Sequence, residues 1–131
     1  MNFIFTEEQI QFKDAIKSFL TEECTPLSIR DGWQAKKSFN LDRWKNLIEL
    51  GVLNSNLPQN KGGLGMGQVT LALMVEEMGY AGLPEPVAEQ IFLVNDVIPF
   101  LPKNITEAIE SNYNNGSQYI ALAHPLAPNP L

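Results

Sequence analysis

The sequence predicts an all-α fold, a bundle of about five helices (residues 1–117) followed by a short β-like C-terminal tail (residues 118–131). Three observations carry that expectation. Apolar residues recur at helical spacing through most of the chain. Residues that favour helix starts stand ahead of several of these stretches, and glycine and proline fall between them. The 131 residues are 44% hydrophobic and 18% charged, which suits one folded domain with a core of its own.

The first helix should start at Thr6, because Thr6 and Gln9 have capping-box spacing. Phe12, Ile16, Phe19 and Leu20 then share a face. Pro26 follows, and the polar stretch from Ser28 to Ser38 reads as a connection. Asn40 is a good N-cap for a second helix, with Phe39 and Trp44 at hydrophobic-staple positions and Gly51 placed to end it. Four glycines among residues 62–67 predict a tight loop between packed elements. The third helix, from Gln68 to Met78, is apolar nearly all round, which predicts burial or an interface. Residues 79–84 read as a turn. Pro86 suits the first turn of a fourth helix, whose Val87, Ile91, Val94 and Ile98 are spaced for one face. Asn104 and Glu107 resemble another capping box, and Ile105, Ile109 and Tyr113 stripe a fifth helix that Gly116 ends. The run from Tyr119 to Ala123 is β-like, and a lone strand cannot pair its own backbone groups.

Several functions are disfavoured at once. The formal net charge is -6 and no Lys/Arg cluster offsets it, so no nucleic-acid partner is expected. No apolar run reaches the roughly 18 residues that span a bilayer. The opening residues lack a basic region and a signal-peptide core, so a cytoplasmic setting is expected. Cys24, the one cysteine, reads as a small buried or half-buried side chain. His124, the one histidine, has no Cys/His partner for a metal and no place in a Ser–His–Asp set. Glu76 and Glu77 are adjacent and point to different helix faces, one expected exposed and the other paired. Gly63, Gly65 and Gly67 begin like a dinucleotide fingerprint, but the third glycine comes too early and no strand flanks them. No catalytic or metal-binding residue can be named from chemistry alone.

The order of the pieces is more informative. Phe5 to Gln9, the helix ending in Leu47-Ile48-Glu49-Leu50-Gly51-Val52, the segment Leu57 to Gly65, and Val75-Glu76-Glu77-Met78-Gly79 together resemble the N-terminal helical domain of flavin-dependent acyl-CoA dehydrogenases. The resemblance covers nearly the whole chain and is strongest from Leu41 to Gly79. It implies that residues 118–131 begin a middle β-domain missing from this sequence, or trail off as a loose tail. It implies FAD in the complete enzyme and none in this chain alone, because the family holds its flavin between the middle and C-terminal domains. It implies α,β-dehydrogenation of an acyl-CoA thioester, and a homo- or hetero-oligomer joined through apolar helix faces. Its substrate-lining positions fall on Pro86, Val87, Gln90 and Val94. Gln90 is the polar one among apolar neighbours and would be costly to bury without a partner. A standalone helical interaction module without catalysis stays open as the alternative, and a small self-sufficient enzyme would need a catalytic set that the chain does not display.

Overall fold

The computed structural model describes residues 4–37, 39–114 and 119–121, with side chains left out at 93–95, 99 and 110–114. Six helices are found among these residues, and no strand. They are α1 (Glu7–Glu23), α2 (Pro26–Gln34), α3 (Leu41–Glu49), α4 (Gln68–Ala81), α5 (residues 87–97) and α6 (Lys103–Asn114). The β-like tail is not paired in a sheet at residues 119–121; His124 and the expected division after residue 117 lie outside the described residues.

Local chemistry sets the helix ends. Thr6 and Gln9 complete the capping box of α1: Thr6 N–H donates to Gln9 Oε1 at 2.9 Å and Gln9 N–H to Thr6 Oγ1 at 3.2 Å. Asn40 Oδ1 accepts from the N–H groups of Asp42 and Arg43 at the start of α3, and the Phe39 and Trp44 rings meet at 5.5 Å. Gly51, at φ 75°, closes α3. Its N–H donates to Ile48 O and that of Val52 to Leu47 O, the bond pair of a Schellman cap, with Leu47 and Val52 both buried behind it.

Three expectations are corrected. The polar stretch after Pro26 is not a plain connection but helix α2, which runs to Gln34. Thr25 caps it by accepting from Ser28 N–H at 3.1 Å, and Pro26 stands at its first position, where no N–H is needed. Helix α4 runs to Ala81, three residues past the expected end, so Gly79 lies inside it and Gly82 caps it. The start of α6 at Lys103 also precedes the capping residue expected at Asn104.

Helix α1 packs along α4, and Ile16, Leu20, Leu71, Met74 and Met78 build the core between them. Trp44, Leu47, Val52 and Leu53 close it from α3 and the following turn, Val87 and Ile91 from α5, and Ile98 from the turn just after it. Lys13 of α1 reaches Glu77 of α4 at 3.2 Å, while Glu76 stays exposed at 4.0 Å, so the two neighbouring carboxylates divide as their helix faces require. The glycine loop folds back on residues 54–58: Gly63, Leu64, Gly65 and Met66 donate to the carbonyls of Pro58, Asn54, Leu57 and Ser55. A β-carbon on Gly63 would lie 2.1 Å from Leu57 O, so that position admits no side chain.

Candidate functional site

Helix α4 ends at Gly82, the chain turns through Pro84-Glu85-Pro86, and α5 leaves from Val87. The turn bounds a groove of about 490 Å³ lined by Val75, Met78, Leu83, Pro86, Val87 and Ala88, among others. That volume falls in the range of small-molecule sites.

Helix α5 is not a regular α-helix. A turn of α-helix, Val87–Glu89, leads into a π turn, Gln90–Val94, and then into Asn95–Val97. The wide turn takes an extra residue and breaks the backbone ladder locally, and Asn56 Nδ2 donates to Ile91 O at 3.0 Å across the gap. Turns of this kind concentrate at functional sites.

The four residues expected to line a substrate are placed as follows. Pro86 and Val87 border the groove; Pro86 is half-buried and Val87 is buried against the core. Gln90 is 1% exposed and opens the π turn, with both carboxamide atoms bonded to the backbone of Ile120. Val94 closes that turn, and its side chain lies outside the described residues. The seven-residue spacing of Val87 and Val94 assumed α-helical geometry, which the π turn replaces over this stretch.

Glu85 also borders the groove, but its carboxylate turns inward. It accepts from Arg43 Nε at 2.8 Å, from Arg43 Nη2 at 3.0 Å and from the N–H of Asn40 at 2.8 Å. Burial opposes the Arg43 charge, yet the hydrogen bonds and attraction of Glu85 outweigh it and hold the guanidinium pKa above its ordinary value. Sequence reasoning missed this pair, because nothing local marks two residues that meet only after folding. Glu77 and Glu85 are the buried glutamates among the described residues, and each faces a base. Neither is free to act as a general base.

Burial pushes the Cys24 thiol above its ordinary pKa; Arg43 pulls it down, and Glu85 and Glu23 add to the rise. The glycine loop does not fit a phosphate cradle, since the N–H groups of residues 63–66 are occupied by the chain's own carbonyls. No group of His, Cys, Asp and Glu among the described residues could hold a metal ion. None of their helices is long and apolar enough to cross a membrane. A second groove, of about 500 Å³, lies between α1, α2 and α4 beside Trp33 and Tyr80, which are 67% and 89% exposed.

Comparison with known proteins agrees with this architecture. The family model described as "Acyl-CoA dehydrogenase, N-terminal domain" matches residues 6–108. The acyl-CoA dehydrogenase FadE27 of Mycobacterium tuberculosis is 26% identical over 93 residues, 71% of this chain and 25% of that protein. The probable acyl-CoA dehydrogenase YngJ of Bacillus subtilis is 32% identical over 81 residues, 62% of this chain and 21% of that protein. A cyclohex-1-ene-1-carbonyl-CoA dehydrogenase of Geobacter metallireducens is 37% identical over 75 residues, 56% of this chain and 19% of that protein. The chain thus spans about a quarter of the length of the curated relatives it matches, or less. No solved structure matches it significantly. With the family model matching residues 6–108 of 131, the chain belongs to the acyl-CoA dehydrogenases, whose N-terminal helical domain it carries.

Proposed function

We propose that this chain supplies the helical domain of a flavin-dependent acyl-CoA dehydrogenase, and that Pro86, Val87, Gln90 and Val94 belong to the wall that guides the acyl chain. The observation that carries the reading is the groove at the α4–α5 turn, part of whose lining is apolar, in a chain of this family. An acyl chain needs apolar side chains that exclude water, and burial of each methylene is worth about 0.8 kcal/mol. Val75, Met78, Leu83 and Val87 offer such a surface; Arg43 holds the Glu85 carboxylate, while the exposed Glu89 also borders the groove. The proposed reaction is α,β-dehydrogenation of an acyl-CoA thioester. A carboxylate outside this chain removes the α-proton. FAD, bound by the rest of the enzyme, supplies the acceptor for the β-hydrogen as hydride; no residue of this chain is assigned to it, and the isolated chain is expected to be inactive and flavin-free. The reading places the protein in the cytoplasm, in an oligomer joined through apolar helix faces.

The rival reading, a helical interaction module without catalysis, has one observation behind it: the groove beside the exposed Trp33 and Tyr80. A chimera separates the two. Residues 6–108 replace the corresponding domain of a full-length family member, and enoyl-CoA formation is measured with acyl-CoA substrates of graded length. Activity with a changed length preference supports the wall. A chimera that folds, retains FAD and forms no enoyl-CoA would reject it.

A further inference from the structure

A partly buried backbone group needs a partner, and residues 119–121 have no strand beside them among the described residues. Ile120 finds its partner in a side chain. Gln90 Nε2 donates to Ile120 O at 2.6 Å, and Ile120 N–H donates to Gln90 Oε1 at 2.8 Å. This reciprocal exchange is the bonding of a hydrogen-bonded residue pair in an antiparallel ladder. Only a primary amide offers a donor and an acceptor side by side, as the edge of a strand does. Asparagine would be one methylene shorter, glutamate at neutral pH has no donor, and leucine or methionine has no strong donor or acceptor.

The bonds lie where they count. Gln90 is 1% exposed, so these bonds form out of reach of competing water. The neighbouring residue supplies a second hold: the Tyr119 ring lies 5.5 Å from that of Phe39, whose ring in turn lies 5.5 Å from Trp44. Ile120 itself packs against the core. Two consecutive residues are therefore fastened, one to α5 and one to the aromatic pair at the start of α3.

We propose that Gln90 is a positioning residue that stands in for a β-strand. It holds Ile120 and so fixes the direction in which the chain leaves the helical domain, and it ties that exit to the first residue of the π turn. The proposal does not depend on the acyl-chain reading, but it gives a physical reason for a buried polar side chain among apolar neighbours.

Amide hydrogen exchange and nuclear Overhauser contacts on the purified chain test it. In the unmodified chain the Ile120 amide should be protected, and the Gln90 carboxamide protons should exchange slowly and show contacts to Ile120. In Gln90→Met, similar in length but without the amide, exchange at Ile120 should quicken by about tenfold or more while Leu20 and Met74 keep their protection. Equal protection of Ile120 in the variant would overturn the proposal. So would an unprotected Ile120 or a freely exchanging Gln90 carboxamide in the unmodified chain, a measurement that decides the matter even if the variant does not fold.

Discussion

Arg43 and Glu85, 42 residues apart in the chain, meet in the core as a two-pronged ion pair, with Nε to Oε2 at 2.8 Å and Nη2 to Oε1 at 3.0 Å. The pair joins three parts of the fold. Glu85 also accepts from Asn40 N–H at the start of α3, and Arg43 Nη1 donates to Glu23 O at the end of α1, at 3.1 Å. A buried pair of this kind adds little over a well-packed apolar replacement, but losing one partner strands a charge.

Arg43→Ala should therefore lower stability by about 3–5 kcal/mol, and Glu85→Leu by a similar amount. Arg43→Lys should fail to rescue fully, since an ammonium cannot form the fork. The double variant Arg43→Met/Glu85→Leu should recover much of the loss, although Asn40 N–H then lacks its acceptor. Urea denaturation of the four variants measures this. Single-variant losses below about 1 kcal/mol would mean that the pair is screened as a surface bridge is.

The raised thiol pKa of Cys24 gives a signed pH dependence. Folding favours the neutral thiol. Below the ordinary thiol range both states keep the proton and the contribution is fully present. From roughly pH 9 upward the unfolded chain ionises first, so stability falls as pH rises towards and through the folded value. Cys24→Ala introduces its own packing loss, but that offset does not vary with pH. The alkaline decline should therefore be shallower in Cys24→Ala, as read from urea midpoints taken at stepped pH. Parallel declines would remove the thiol from the account.

What was legible in the sequence was local. The ends of α1 and α3 could be read because Thr6, Gln9, Asn40 and Gly51 act within a few residues of themselves. Helix α2 was missed although Thr25 and Pro26 form a good start signal. Its Leu27 and Trp33 are exposed, so no buried stripe announces it, and the left-handed position after it is taken by Lys36 (φ 54°) instead of glycine. The Arg43–Glu85 pair, the π turn and the Gln90–Ile120 bonds all depend on packing between distant segments. The cost of burying Gln90 pointed to a missing partner, but the identity of that partner is a property of the fold. Of the groove, the sequence offered the turn and the first residues of α5, and the resemblance supplied their use.

Two glycines should respond in opposite directions to the same change. At Gly63 an added β-carbon would meet the Leu57 backbone at 2.1 Å, so the loop must open and give up hydrogen bonds to residues 54–58. Gly63→Ala should cost about 2–4 kcal/mol, the scale of a backbone clash with lost packing. At Gly79, inside α4, nothing lies within 4 Å of the added carbon. Gly79→Ala should stabilise by about 0.5–1 kcal/mol, because alanine loses less backbone freedom on forming a helix. Thermal unfolding of both variants beside the parent decides it. A neutral Gly63→Ala would show that the loop relaxes without cost.

The acyl-chain wall can be tested at a residue that the core does not need. Ala88 is half-buried and borders the groove at the α4–α5 turn, whereas its neighbour Val87 is packed into the core. Ala88→Phe should therefore occupy groove space and change stability by less than about 1 kcal/mol. In the chimeric enzyme, acyl chains too short to reach the groove should keep kcat/KM within about twofold, since nothing near the reacting carbons has changed. Chains long enough to reach it lose apolar contact for each methylene that is shut out. At about 0.8 kcal/mol per methylene, three of them correspond to roughly a 60-fold fall in kcat/KM. The fall should steepen with each added pair of carbons until the whole groove is denied. Chain-length profiles of the parent chimera and the variant, with melting temperatures beside them, give the answer. An equal loss at every length, together with a clear drop in melting temperature, would make Ala88 a packing residue and remove the groove from the path of the substrate.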